Sequence, residues 1–210
     1  MKHMRLLFCL SMFAVVLGGC TLATVRSLEE DEEAKEGFNP DTYVEGIWEE
    51  QFIPTLMDGA TEIAEILAAL EEDEDAASEE YGNRTSSGPF SFMARGEGVV
   101  LEVDRSSRVG LAPVDLTPTD GEADIFLAVG PVLRGNALRD SVGFIAFNDF
   151  TNQIEFGGVS TALKDRIAAE LIDETDFDSL VGSTVSFVGA FTYDDPEEVV
   201  IIPVSLDEVE

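Results

Sequence analysis

The sequence predicts an α+β protein in which N-terminal helices pack on an OB-like five-stranded antiparallel β-barrel, with one helix between strands 3 and 4. Three observations predict it. Apolar residues recur at helical spacing from Tyr43 to Leu70, and the period drops to two after Phe90. The strand-forming segments then fall in the order three strands, a helix, two strands, which is the order of a small closed barrel of this kind.

The N-terminus reads as a lipoprotein signal peptide over residues 1–19. Met1–Arg5 carries Lys2 and Arg5, Leu6–Leu17 is an almost unbroken apolar run, and Leu17-Gly18-Gly19 leads into Cys20. So short a run cannot cross ~30 Å of hydrocarbon at about 1.5 Å per residue, but it suits the apolar core of a signal peptide. Small residues before a cysteine let the chain enter a lipoprotein signal peptidase extended, and the Cys20 thiol then receives the lipid. A plain secretory signal needs no cysteine at this point. A diacylated Cys20 anchors stably to a membrane, so the expected location is periplasmic, lipid-anchored to the cell membrane. Cleavage would take Cys9 and His3 with it, leaving a mature chain with no histidine and no free thiol. That excludes Cys and His nucleophiles or bases and zinc sites built on them. No cofactor and no metal are expected.

Residues 20–37 read as an acidic tether, since Leu28–Glu36 (LEEDEEAKE) is too charged to pack. A helical segment follows over residues 38–80. Asn39 suits an N-cap, Pro40 the first helical position and Asp41 the positive end of the helix dipole. Tyr43 with Ile47, and Val44 with Trp48, share one side. Pro54 should interrupt or kink this helix. Leu56, Ala60, Ile63, Leu67 and Leu70 then form the apolar stripe of a second helix, and the acidic stretch Glu71–Glu80 with the segment Tyr81–Gly88 then forms a loop.

The barrel is expected over residues 90–210. Val99, Leu101 and Val103 alternate with Val100, Glu102 and Asp104 after a flexible Gly96-Glu97-Gly98, giving a first strand. Asp120-Gly121 marks a turn, and Ile125–Val129 is a largely buried second strand. Gly143–Phe147 with Gln153–Phe156 reads as a third, interrupted strand or a hairpin. Ser160 can cap a helix burying Leu163, Ile167 and Leu171. Val185, Phe187, Gly189 and Phe191 alternate in a fourth strand. Val199–Val204 is a fifth, apolar on both faces because one faces the barrel interior and the other the N-terminal helices.

The precursor carries 43 acidic and 12 basic residues, a net charge of −31. Repulsion from phosphates excludes a nucleic-acid partner. The acids are spread along the whole chain, which favours a solvated surface over a docking face for a basic partner.

Few basic residues remain in the mature chain, and two lie in Gly130–Asp140, where Gly and Pro shape the backbone. Arg134 and Arg139 suit bidentate capture of a carboxylate or phosphate; equally, they could pair with Asp140 or Asp104 and fix the loop. Asn148, Asn152 and Gln153 form an amide-rich turn around Phe150, a combination found in carbohydrate pockets and in ordinary turns alike. Asp104, Arg134, Arg139, Asp140, Asn148, Asn152 and Gln153 are therefore the candidate ligand or partner residues, with Cys20 as the lipidation site and no catalytic residue. Paired carboxylates could hydrolyse a glycan, but so acidic a chain supplies pairs in any fold. Calcium-loop and phosphate-loop signatures are absent.

Tyr43-Val44-Glu45-Gly46-Ile47-Trp48, the run Gly130–Asp140, Gly143-Phe144-Ile145, Phe150–Ile154, Gly189-Ala190-Phe191 and Ile202-Pro203-Val204 together resemble an uncharacterised family of predicted periplasmic lipoproteins, over nearly the whole mature chain. Members tend to be encoded beside sugar ABC importers, often of the ribose type. The resemblance thus implies a non-enzymatic lipoprotein accessory to carbohydrate import, with an importer component or solute-binding protein as partner. It supplies no catalytic residues. The alternatives are a structural or assembly lipoprotein of the envelope without a ligand and, behind it, a carboxylate-based glycan hydrolase.

Overall fold

The structure, a computed structural model, describes residues 37–85, 88–196 and 198–209. The expected signal peptide over 1–19, Cys20 and the acidic tether up to residue 36 lie outside the described residues. Phe38 onward forms one compact unit.

Helix α1 (Pro40–Ile47) starts where the sequence places it. Asn39 Oδ1 accepts the N–H groups of Asp41 and Thr42 at 2.9 and 3.1 Å. Pro54 does not kink the helix that follows. Trp48–Phe52 instead widens into a π turn, closed by Ile53 N–H on the Trp48 carbonyl, and Pro54 sits in the first turn of α2 (Ile53–Gly59), where no N–H is needed. The turn places Trp48 and Phe52 in a stacked pair 5.1 Å apart.

The expected single stripe from Leu56 to Leu70 is split. Ala60 turns extended, Thr61–Glu62 forms a two-residue strand β1, and α3 (Ile63–Glu72) restarts beyond it. Leu56, Ala60, Ile63, Ile66 and Leu70 are buried, and Leu67 is only half-buried. The acidic stretch expected as loop is a helix, α4 (Glu74–Tyr81), because Asp73 caps it through Ala76 N–H at 3.1 Å and Glu74 and Asp75 meet its positive end. Strand β2 (Gly82–Asn83) follows.

The barrel strands are β3 (Ser91–Val100), β4 (Leu111–Leu116), β5 (Ile125–Ala128), β6 (Thr184–Thr192) and β7 (Val200–Glu208). They pair in the order β3-β4-β5-β7-β6, and β6 returns to β3 to close the barrel. One pair departs from the expected antiparallel pattern: β5 and β7 run parallel, as Phe126 opposite Val200 shows. β1 and β2 pair with the N-terminal half of β3 where β4 has peeled away, so that edge is covered.

The five strands are not the five expected. The first begins eight residues earlier than Val99, at Ser91, and Gly96 and Gly98 lie within it. These glycines are points of close approach, not a hinge: a Cβ on Gly98 would stand 2.5 Å from the Asp115 carbonyl oxygen, and one on Gly96 2.8 Å from Ile63 Cγ2. β4 was not expected. Asp115 is buried in it and accepts Asp120 and Gly121 N–H at 3.1 and 2.7 Å, fixing the turn into β5.

The expected strand or hairpin over 143–156 is absent. Phe147–Asp149 is a short 3-10 turn, and Asn152 caps the long helix α6 (Gln153–Ile167), preceded by the short α5 (Ala137–Ser141). Ser160 is therefore buried within the helix and does not cap it. α6 lies between the third and fourth barrel strands, buries Phe156, Val159, Leu163 and Ile167, and packs against α1, with Pro40 seated over Gly158. Phe92 and Phe191 stack in the barrel interior 5.0 Å apart.

Candidate functional site

A cleft of about 470 Å³ opens at the end of the barrel where β5 and β6 finish and β7 begins. Its walls are the connection between the first and second barrel strands, bringing Asp104, Ser107 and Val109, and the connection between the fourth and fifth, bringing Asp194, Asp195 and Glu198. Leu111, Ala128 and Ile202 give an apolar floor, and Arg134 stands at the rim.

Asp104 is held locally. Its backbone pairs both ways with Leu111, at 2.8 and 2.9 Å. Its carboxyl is held below the ordinary value by the Ser106 hydroxyl and by the Ser106 N–H, which donates at 2.8 Å. Asp104 therefore enters the cleft as a carboxylate.

Arg134 is exposed, and among the described residues it has no ion-pair partner. The loop behind it is fixed. Lys164 Nζ donates to the Gly135 carbonyl at 2.9 Å, and the Ser160 hydroxyl meets Asn136 Oδ1 at 2.8 Å. Burial pushes the Lys164 ammonium down from its ordinary value, with Arg139 adding to the effect and Asp165 opposing it.

Arg139 is a different object. It is buried on α5, its Nε and a terminal nitrogen both meet Asp140 Oδ1 at 2.7 Å, and its other terminal nitrogen donates to the Phe156 carbonyl at 3.2 Å. The guanidinium lies 3.6 Å over the Phe156 ring. Thr85 Oγ1 donates to the same Asp140 oxygen at 2.9 Å, and Asn83 Nδ2 to the Ser141 carbonyl at 2.7 Å. Arg139 and Asp140 thus rivet α5, α6 and the segment after α4 together, and neither lines the cleft.

The amide-rich turn does not reach the cleft either. Asn152 is spent on the helix, accepting Ile154 and Glu155 N–H at 2.9 and 3.0 Å, while Asn148 and Gln153 are exposed. Of the sequence candidates, the structure brings together Asp104 and Arg134. Sequence reasoning missed Ser107, Asp194, Asp195 and Glu198. Their signal was position: Asp194-Asp195-Pro196 interrupts two clear strands, and such connections carry function on a rigid scaffold.

Among the described residues no group of histidine, cysteine or acidic side chains is placed to hold a metal, and no helix is long and apolar enough to cross a membrane.

A closed five-stranded barrel with a helix between its third and fourth strands, and a cleft between its 1–2 and 4–5 connections, defines an OB-fold protein. A solved OB-fold protein from Thermotoga maritima MSB8 shares this fold, with a TM-score of 0.67 and 22% identity over 82% of this chain and 99% of its own. No curated protein matches the chain. The family described as "Predicted periplasmic lipoprotein (DUF2291)" matches residues 10–207, and the chain belongs to it. It is a lipoprotein of the periplasm, anchored by lipid.

Proposed function

We propose that this protein is a non-enzymatic lipoprotein accessory to carbohydrate import, and that the barrel-end cleft holds a hydroxylated solute, or the part of an importer component or solute-binding protein that presents one. The observation that carries this is the chemistry of the cleft. A guanidinium without an ion-pair partner among the described residues, that of Arg134, shares the cleft with carboxylates and an apolar floor, which gives donors and acceptors for hydroxyl groups and a surface for C–H faces. The same carboxylates repel the oligonucleotides that OB folds often bind.

The test is thermal unfolding of the full-length protein in detergent against a panel of neutral sugars, with Arg134→Ala in parallel, and affinity purification from native membranes. A sugar that raises the midpoint in the wild type and not in Arg134→Ala, or importer subunits recovered with the wild type alone, supports the reading. A flat panel and recovery of envelope scaffold proteins only would replace it with an assembly role without a ligand. Release of reducing ends from oligosaccharides would revive the hydrolase.

A further inference from the structure

A second pocket, of about 370 Å³, lies on the other side of the 104–109 loop from the cleft and is of opposite character. Arg105 and Arg108 line it with Ser107, Asp173 and Thr175. Arg105 is aimed: a terminal nitrogen donates to the Val129 carbonyl at 3.4 Å, and its guanidinium stands 5.3 Å over the Phe177 ring, leaving its other N–H groups unused among the described residues. Arg108 is exposed, and among the described residues its side chain has no ion-pair or hydrogen-bond partner.

The loop that carries both is rigidly seated. Val132 N–H donates to the Arg108 carbonyl and Val129 N–H to the Gly110 carbonyl, each at 3.1 Å. The approach is so close that a Cβ on Gly130 would stand 2.2 Å from the Val109 oxygen, while Gly110 adopts φ +58° against Gly130. Ser107 Oγ accepts Val109 N–H at 3.3 Å, which leaves the hydroxyl proton to give away.

The charge distribution is not that of a solvated acidic surface. Arg105 and Arg108 both line this pocket against one carboxylate, Asp173, although acids outnumber basic residues 43 to 12 in the chain. Guanidinium groups on a fixed backbone, with a low cost of ordering, are the donor set for an oxyanion. Asp173 lines the same pocket and, among the described residues, is ion-paired with neither arginine, so its carboxylate is available to accept a hydroxyl.

We propose that this pocket binds a small hydroxylated oxyanion of the sugar-acid or sugar-phosphate type, its carboxylate or phosphate held by Arg105 and Arg108 and a hydroxyl donated to Asp173. The site stands on its own residues and does not depend on the cleft.

The test is calorimetric titration of the full-length protein in detergent with D-gluconate, glucose 6-phosphate, inorganic phosphate and neutral D-glucose, at ionic strength matched with sodium chloride. At least one of the two hydroxylated anions should bind, and which of them does separates carboxylate from phosphate. Arg108→Ala should weaken that binding about tenfold to hundredfold, since it removes charge-assisted hydrogen bonds. The Arg108 side chain makes no contact among the described residues that the fold needs, so this variant should keep the wild-type unfolding midpoint; Arg95→Ala, at an exposed ion pair with Glu62, controls for net charge. Asp173→Asn should weaken glucose 6-phosphate or gluconate while leaving inorganic phosphate unchanged. No anion binding beyond sodium chloride, or equal affinity in Arg108→Ala and wild type, overturns the proposal. Loss in Arg134→Ala alone places the anion in the cleft and overturns it too.

Discussion

Replacing Arg139 by methionine should destabilise the protein strongly without touching the cleft. The Arg139 and Asp140 side chains are 7% and 15% exposed, and their nitrogen and oxygen atoms are 2.7 Å apart. Methionine fills the space of the side-chain stem but leaves the Asp140 carboxylate nearly buried, with only the Thr85 hydroxyl at 2.9 Å, among the described residues, to satisfy it. Removing one partner of a buried pair costs about 3–5 kcal/mol. The residual exposure of Asp140 argues for the lower end, so we expect a loss of about 3 kcal/mol. For a unit of this size that corresponds to about 6–12 °C in the unfolding midpoint. Circular dichroism melts of wild type and variant measure it directly. The double variant Arg139→Met, Asp140→Leu should recover much of the loss, because a buried pair exchanged for apolar groups is often neutral. A shift under about 2 °C, or a stable Arg139→Met that fails to respond to a ligand the wild type binds, would refute the rivet and return Arg139 to the ligand.

Two further outcomes follow from local geometry. Asn152→Ala should cost about 1 kcal/mol by uncapping α6, seen as a lower midpoint, with solute responses unchanged; a lost response at an unchanged midpoint would show the amide turn to be a binding surface after all. Asp104 should titrate below the ordinary aspartate value, because the Ser106 hydroxyl and N–H favour its carboxylate. Its folded form favours the carboxylate, so whatever stability it lends is present above that value and falls away as pH drops through the lowered one. Ser106→Ala should move the titration back up, as carboxyl carbon shifts in NMR would record.

The elements legible in the sequence were those whose signals are local and complete. Asn39-Pro40-Asp41 contains a cap, a first-turn proline and a dipole partner in three residues. β6 and β7 alternate or run apolar for long enough that no other period fits. β4 was not legible, because Pro113 and Asp115 break its alternation; only the fold shows Pro113 opposite Phe126 and Asp115 turned to the Asp120–Gly121 amides. The misreading of Gln153–Phe156 has a similar cause. Four residues alternate by chance, and Gly157-Gly158 weakens the helical pattern beyond them. Yet a start signal was present: Glu155 reaches back to Thr151 N–H at 3.0 Å while Asn152 caps from in front. Glu71–Glu80 is expected as loop from its sequence, although a capping aspartate ahead of acids is how a helix begins. For the site, arginine type was visible but depth was not. Arg134 and Arg139 are five residues apart in one motif, and only the packing of α5 on α6 sends one to the rim and buries the other.

The net charge of −31 therefore conceals two local environments that composition could not separate. In the cleft, carboxylates from two barrel connections face a single arginine, so an anion entering there meets repulsion and a neutral polyol meets acceptors. Across the 104–109 loop two arginines, Arg105 and Arg108, face one carboxylate, Asp173, so an anion meets the converse. Ser107 lies on both walls, so a ligand that draws its hydroxyl into one pocket withdraws it from the other. Two ligands of opposite preference would then be coupled through a single backbone segment, and by linkage each would change the affinity of the other by the same factor. Equal affinity for a neutral sugar with and without the anion would show the loop to be a rigid partition, and Gly110 and Gly130, pressed together beneath it, are the contacts that would make it one.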